Sequence, residues 1–117
     1  MNKREAGSRY ETQAEQFLKA QGFRILARNY RCRRAEIDLI AAEGRYLVFV
    51  EVKQRSTARC GCGLESVDFA KQRRICLAAR HYLYRNRIPE DTPVRFDVVS
   101  IDEGRMTLVR NAFLWSL

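Results

Sequence analysis

Two acidic residues and a lysine occupy strand-like apolar segments, where charged side chains need a chemical reason. Glu51 and Lys53 close the run Leu47-Val48-Phe49-Val50, and Asp38 lies thirteen residues before Glu51 within Glu36-Ile37-Asp38-Leu39-Ile40. Ionised carboxylates are almost never buried unless they are paired or bind a metal. An acid pair beside a lysine therefore indicates metal-assisted chemistry, because Mg²⁺ prefers carboxylate oxygens as ligands.

The alternation of side chains along strands places these charges on a shared face. Glu51 and Lys53 have the same parity and point to the same side of their strand. Glu43-Gly44-Arg45 predicts a hairpin turn between the two segments. A two-residue loop at 43 and 44 would set Asp38 diagonal to Glu51, and a four-residue loop would set it opposite; either register separates the carboxylates by roughly 5–8 Å. Such a pair repels, which favours a divalent cation between them.

Length and composition predict one domain spanning residues 1–117. No segment approaches the roughly 18 apolar residues of a membrane span, and Met1-Asn2-Lys3-Arg4-Glu5 lacks the apolar core of a signal peptide. We therefore expect a cytoplasmic protein with no membrane partner. The four cysteines show no disulfide framework, and Cys60-Gly61-Cys62 is too closely spaced for a standard zinc pair.

The net charge of +8 is unevenly distributed along the chain. Residues 1–34 carry +6 and residues 71–95 carry +5, whereas residues 35–70 between them carry −2. A negative centre flanked by positive segments is typical of a metal site within a polyanion-binding surface. The alternative is that the basic residues only maintain solubility. The candidate nucleic-acid contacts are Arg31, Arg33, Arg34, Arg55, Arg59, Lys71 and Arg74.

Hydrophobic periodicity predicts the element order αβββαβ with one further short strand. The first helix should run from about residue 5 or 8 to 21, and the second from an N-cap at Ser66 to about 84. A loop over 54–64 could move onto a substrate backbone. The predicted strands cover residues 23–30, 35–42, 46–53, 94–101 and 106–110.

The motifs of the chain resemble a known family. A helix, an Asp on a strand, Glu-x-Lys on the next strand and a second helix are similar to the PD-(D/E)XK nuclease superfamily, although Ile37 stands where the superfamily pattern has Pro. The individual residues of these segments resemble those of the YraN family, a group of small bacterial proteins similar in fold to archaeal Holliday-junction resolvases. The matching residues are Gly7, Tyr10-Glu11, Ala14-Glu15, Phe17-Leu18, Gln21-Gly22-Phe23, Glu36-Ile37-Asp38-Leu39-Ile40, Val48-Phe49-Val50-Glu51-Val52-Lys53, Lys71 and Arg95-Phe96-Asp97-Val98-Val99.

This resemblance implies an α/β fold with a restriction-endonuclease-like αβββαβ core, in which helices flank a central mixed sheet with an extra edge strand near the C-terminus. It implies a metal-dependent endonuclease acting on DNA, selective for structure rather than sequence. Asp38, Glu51 and the Val52 carbonyl would hold Mg²⁺ or Mn²⁺. Lys53 would orient or deprotonate the attacking water, or stabilise the transition state.

Two further residues have competing interpretations. Ser8-Arg9-Tyr10-Glu11 fits a capping box, in which Glu11 would satisfy the start of the helix; the resemblance instead implies that Glu11 is a metal-site glutamate. Lys71 is either a phosphate contact or a solvated lysine. His81 is expected to be structural. Aromatic residues at 84, 113 and 115 are expected to pack in the core or at its edge, although aromatics beside arginines could instead stack unpaired bases.

Two alternatives to an enzyme remain open at the level of sequence. A non-catalytic nucleic-acid-binding module could keep the nuclease fold and use its basic face alone, but it would gain nothing from Asp38 and Glu51 in a groove for a polyanion. A protein-interaction subunit would leave the charge pattern unexplained. The DNA partner could be branched or single-stranded, and a homodimer is left open.

Overall fold

The computed structural model describes residues 3–33, 35–55 and 67–116, with the side chains of residues 3–8 and 55 left aside. Within these ranges the chain forms two helices and five strands. Their bounds are α1 Lys3–Ala20, β1 Arg24–Cys32, β2 Ala35–Glu43, β3 Tyr46–Arg55, α2 Phe69–Arg85, β4 Val94–Asp102 and β5 Arg105–Phe113.

The five strands form one mixed sheet in the order β1-β2-β3-β4-β5. Strands β3 and β4 are parallel, which requires a crossover connection, and α2 lies within it. The other neighbours are antiparallel. This mixed sheet with two helices and a C-terminal edge strand confirms the predicted fold class. Neither helix of the described ranges has the length and apolarity needed to cross a bilayer.

Two apolar layers, one on each face of the sheet, fix which side chains each strand presents. On one face α2 packs through Ile75, Cys76, Ala78 and Ala79 against strand residues that include Phe49 and Phe96. On the other face α1 packs through Ala14 and Leu18 against strand residues that include Val48 and Val50. Successive residues of β3 thus alternate between the two layers, as strand geometry demands.

The hairpin turn between β2 and β3 lies within the predicted segment Glu43-Gly44-Arg45, one residue later than the two-residue alternative at 43 and 44 and in the register of the four-residue alternative. Glu43 pairs with Tyr46, so the turn consists of Gly44 and Arg45. Gly44 adopts φ 59°, the left-handed conformation that a two-residue hairpin turn requires and that glycine tolerates best. The resulting register, in which Leu39 pairs with Val50, is the one that sets Asp38 opposite Glu51.

The start of α2 also differs from the prediction. Asp68, not Ser66, is the N-cap, and its Oδ1 accepts a hydrogen bond from the Lys71 amide at 2.8 Å. Strand β3 continues to Arg55, so the predicted loop begins later than residue 54. The remainder of that loop, including Cys60 and Cys62, lies outside the described residues.

Candidate active site

Asp38 lies at an irregularity in strand β2, where the alternation of side chains between the two faces of the sheet is interrupted. Ile37 packs in the layer beneath α2, whereas Leu39 packs in the layer beneath α1, although residues two apart share a face in a regular strand. On the neighbouring strand, Asn29 has φ 53° at the same level, between the pairs that flank Asp38. The irregularity turns Asp38 toward β3, and its Oδ2 accepts a hydrogen bond from the Val52 amide at 2.8 Å.

Strand β3 supplies the second carboxylate. Glu51 is 8% exposed and follows Phe49 on the face that α2 covers. The Lys71 ammonium of α2 lies 3.1 Å from Glu51 Oε2. Asp38 and Glu51 are close enough to share a hydrogen bond between their carboxyl groups. The structure therefore brings together Asp38, Glu51 and Lys71, with the Val52 backbone beside them.

The electrostatics of this cluster are unfavourable for two ionised acids. Burial, together with the adjacent charge of Glu51, raises the pKa of Asp38 to about 7. Burial lowers the pKa of Lys71, but the Glu51 carboxylate outweighs it, so the net shift is upward. The ammonium thus neutralises Glu51, while the environment of Asp38 favours its protonated form more than water does. This is the like-charge arrangement that a divalent cation relieves.

Helix α1 brings Glu11 toward the same cluster. Burial raises the pKa of Glu11, and the charge of Asp38 raises it further, whereas a hydrogen bond with Asn29 lowers it. The Arg28 Nε lies 3.9 Å from Glu11 Oε1. Since α1 begins at Lys3, Glu11 lies in the interior of the helix, and the capping-box interpretation is wrong.

A cleft of about 320 Å³ opens onto the cluster from the α2 side. Lys53, half-buried, lines this cleft two residues after Glu51, on the same face of β3. The other lining residues are Glu51, Val52, Gln54, Val67, Asp68 and Lys71. Acid, lysine and backbone groups therefore share one concave surface.

The donor atoms present suit a hard divalent cation. In the described part of the chain, no group of three or more His, Cys, Asp or Glu side chains is arranged to hold a metal. Two carboxylates are available, from Asp38 and Glu51, and the Val52 carbonyl points to the same side of β3 as its amide, toward Asp38. Mg²⁺ commonly binds through one or two carboxylates and keeps several waters, so this donor set fits.

The predicted nucleic-acid contacts in the described residues lie on α2 and near the end of β1. Lys71 lines the acidic cleft, and Arg74, exposed, is one turn further along α2. Arg31 is exposed at the end of β1, where its Nε lies 3.4 Å from Glu36 Oε2, and Arg33 follows it. Three predicted contacts, namely Arg34, Arg59 and the side chain of Arg55, lie outside the described residues.

A second acidic cluster, which we did not predict, is purely ionic and structural. Asp97, fully buried in β4, accepts hydrogen bonds from Arg95 and from the Asn111 amide at 2.7–2.9 Å. Glu43 binds Arg110 and Arg95, each at 2.6 Å. The Arg110 hydrogen bond, with that of Arg95, lowers the pKa of Glu43 to about 2. The signal in the sequence was the spacing of Arg95 and Asp97, which share one face of a strand.

The remaining singled-out side chains mostly pack. The Tyr30 hydroxyl and His81 Nδ1 lie 2.6 Å apart, which gives His81 a structural partner. Trp115 meets Phe96 edge-on with ring centroids 4.9 Å apart, as expected of an aromatic at the edge of the core. Tyr84 is 87% exposed, so the packing prediction is wrong for this residue.

Comparison with known proteins places the chain in a family. Residues 10–101 match the model of the uncharacterised protein family UPF0102. A UPF0102 protein of Lachnoclostridium phytofermentans is 51% identical over 113 residues, covering 97% of this chain and 96% of that protein. Similar proteins of Legionella pneumophila (45% identical, 93% and 94% covered) and Saccharophagus degradans (47%, 93% and 92%) carry the same family name. The chain therefore belongs to the uncharacterised protein family UPF0102, the YraN family that its motifs resemble.

Proposed function

We propose that this protein is a metal-dependent phosphodiesterase that cleaves DNA and selects its substrate by structure rather than sequence. The observation that carries the proposal is the pairing of Asp38 and Glu51 beneath an open cleft. Acids with a purely structural role in this chain, such as Glu43 and Asp97, have arginine partners. Asp38 has an acid as its neighbour instead, which costs stability and so indicates a function.

The roles of the residues follow from their positions. Asp38, Glu51 and the Val52 carbonyl would hold Mg²⁺ or Mn²⁺, which supplies Lewis-acid activation of water and charge neutralisation at the phosphate. Asp38 is held in place by the Val52 amide, so it needs no rearrangement to act as a ligand. The Lys53 ammonium in the cleft would orient or deprotonate the attacking water, or offset charge developing on the phosphate.

Lys71 and Glu11 would adjust the site rather than define it. When no cation is bound, the Lys71 ammonium lies 3.1 Å from Glu51 Oε2 and neutralises it. When a cation neutralises Glu51 instead, the ammonium would be available to contact a phosphate. Glu11 would complete the acidic surface from the α1 side. No other acid is needed from the described residues, because water and phosphate oxygens can fill the remaining metal positions.

The proposed DNA surface consists of the acidic cleft together with basic residues on α2 and near the end of β1, namely Arg31, Arg33 and Arg74 in the described part of the chain. Such contacts act on phosphates, which position a duplex without reading its sequence. Shape would therefore decide preference, and branched DNA with single-stranded parts fits a small exposed cleft. A cytoplasmic location belongs to the same proposal.

A non-catalytic nucleic-acid-binding module is the second candidate. It is favoured by the Lys71–Glu51 ion pair, which satisfies Glu51 without a metal. A non-catalytic module does not explain why Asp38, whose pKa is raised by burial and by Glu51, lies in this cluster. The two candidates make opposite predictions about divalent cations.

The test of the proposed function is cleavage of single-stranded, duplex, flap and four-way-junction DNA in Mg²⁺ or Mn²⁺. Wild type should cleave at least one branched form, and Lys53→Ala should not. Inactivity of the wild type on every form with both metals, combined with retained DNA binding, would favour the non-catalytic module.

A further inference from the structure

A second concave surface lies between the end of β1 and one face of α2, outside the acidic cleft. We name it the arginine groove; its volume is about 790 Å³. Arg31 and Arg33 line it from the end of β1, and Arg74 and Arg85 line it from α2. Four arginine residues therefore line one concave space, and none of them lines the acidic cleft.

These guanidinium groups lack matching acids. Among the described residues, Arg33, Arg74 and Arg85 have no carboxylate within salt-bridge distance, and Arg31 has only the exposed pair with Glu36 at 3.4 Å. Exposed pairs of that kind contribute little to stability. Unpaired like charges repel one another, so their clustering indicates an external anion, and guanidinium forks bind phosphate best.

The arginine groove also has apolar lining residues. Leu77, which is 56% exposed, and Ala35 line it together with Cys32 and His81. A ligand that satisfies both the arginines and the apolar lining residues must carry phosphates and a flat apolar surface. Nucleotides meet this requirement only when their bases are unpaired, because pairing and stacking hide base faces within a duplex.

The arginine groove adjoins the acidic cleft and has a definite length. Arg74 is three residues after Lys71, which lines the cleft, and the two charges interact. Arg85 lies eleven residues beyond Arg74 on the same helix. At about 1.5 Å per residue, roughly 16 Å of helix separates Arg74 from Arg85. A strand with the stacked spacing of about 3.4 Å per nucleotide would place about five nucleotides along that length, and a more extended strand fewer.

We propose that the arginine groove binds an unpaired nucleic-acid arm of about five nucleotides that continues from the acidic cleft. This inference rests on the proposed function and deepens it, since it assigns the substrate as DNA with a single-stranded arm. Phosphates would lie against Arg31, Arg33, Arg74 and Arg85, and a base would cover Leu77. A continuous duplex could not place a base against Leu77.

The test measures binding of 5′-fluorescein oligothymidylates of 2 to 10 nucleotides in EDTA by fluorescence anisotropy. The double variant Arg74→Gln/Arg85→Gln is compared with Arg73→Gln/Arg80→Gln, which removes the same charge from other faces of α2. Circular dichroism verifies that both variants fold. Affinity should rise with length to about five nucleotides and then level off. The groove variant should lose about tenfold in affinity, with a salt slope lower by about 1.4, since each phosphate contact on a single strand contributes about 0.7.

Three results would overturn the assignment. Equal losses in both double variants would mean general electrostatic attraction. An abasic strand that binds as tightly as oligothymidylate would show that contact with a base does not contribute to binding. Thymidine monophosphate that competes equally at the same nucleotide concentration would mean a site for a free nucleotide.

Cleavage of a flap with a single-stranded arm separates this inference from the proposed function. Wild-type cleavage that is insensitive to the groove variant would overturn the groove while the proposed function stands. Absence of any wild-type cleavage, with binding of oligothymidylate still dependent on Arg74 and Arg85, would overturn the nuclease and retain the groove as the binding site of a non-catalytic module.

Discussion

The Val52 amide donates a hydrogen bond to Asp38 Oδ2 at 2.8 Å, just beyond the last paired residues of β2 and β3, Leu39 and Val50. A side chain thus occupies the position of a backbone acceptor. The hydrogen bond fixes the carboxylate of Asp38 to the main chain. Glu51 pairs with the ammonium of Lys71, a partly exposed side chain, so Asp38 is the more rigid member of the pair and Glu51 the more adjustable one.

Asp38→Asn should stabilise the metal-free protein at pH 8. The amide oxygen can still accept from Val52, and the amide nitrogen can donate to Glu51, while the repulsion between two acids is gone. The shift from 3.8 to about 7 corresponds to about 4 kcal/mol at about 1.4 kcal/mol per pKa unit, and we expect about half of it, on the order of 2 kcal/mol in the free energy of unfolding, because burial of the amide still has a cost. Urea denaturation in EDTA measures it; a loss of stability would mean that the carboxylate is favourable as it stands.

The stability of metal-free wild type should fall as pH rises from about 4 to about 7. The folded-state pKa of Asp38 is about 7 and its ordinary value is 3.8, so the native protein holds a proton that the unfolded chain releases within this window. Asp38→Asn should flatten the dependence. Urea midpoints across this range in EDTA measure it, and a wild-type profile parallel to that of the variant would contradict the assignment.

Glu43→Gln should destabilise the protein at neutral pH and make its stability less dependent on pH in acid. The sign is opposite to that of Asp38, because the contribution of Glu43 is lost as pH falls. The arginine partners lower the pKa of Glu43 to about 2 from 4.5, so its contribution is present above pH about 4.5 and is lost as pH falls toward 2. We expect a loss of about 1 kcal/mol, since the pair with Arg110 is partly exposed. Acid titration of unfolding in EDTA should show a shallower slope below pH 4.5 for the variant than for wild type.

Lys71→Gln should bind Mg²⁺ more tightly than wild type, by about three- to tenfold, because the ammonium that competes for Glu51 is removed. The same variant should bind DNA more weakly in EDTA, since a phosphate contact is lost. Lys19→Gln is the matched control, as Lys19 pairs with Glu15 at 3.3 Å on α1. Unchanged Mg²⁺ affinity in Lys71→Gln would mean that Glu51 is not a ligand.

DNA binding by wild type should weaken steeply with salt, because the segments carrying +6 and +5 would displace counterions from phosphates. Anisotropy measured from 50 to 200 mM salt gives the slope. An affinity that is nearly constant over this range would remove the electrostatic argument for the basic surface.

Much of this fold was predictable because its periodicities are strong. The alternation in β3 fixes Glu51 and Lys53 to one face, and the structure has them there. The turn within Glu43-Gly44-Arg45 was predicted but its register was left open, since either neighbour of Gly44 can complete a two-residue loop. The choice of Asp68 over Ser66 as N-cap was equally local, because both side chains can cap a helix and packing decides between them.

What the sequence could not reveal depends on contacts between distant segments. The irregularity at Asp38 depends on the neighbouring strand, where Asn29 adopts φ 53°. The ion pair between Lys71 and Glu51 joins residues twenty positions apart and depends on how α2 docks. The helix start at Lys3, which removes the capping role of Glu11, overrides a local pattern that fits a cap well.

The proposed metal site is tested most directly by calorimetric titration of Mg²⁺ and Mn²⁺ into wild type, Asp38→Asn and Glu43→Gln. Both variants remove one carboxylate from the sheet, but only the first changes the acid pair. We expect one divalent-ion site in wild type, retained in Glu43→Gln and lost in Asp38→Asn. Binding that persists in Asp38→Asn, or no binding of either metal by wild type, would contradict the proposed metal site.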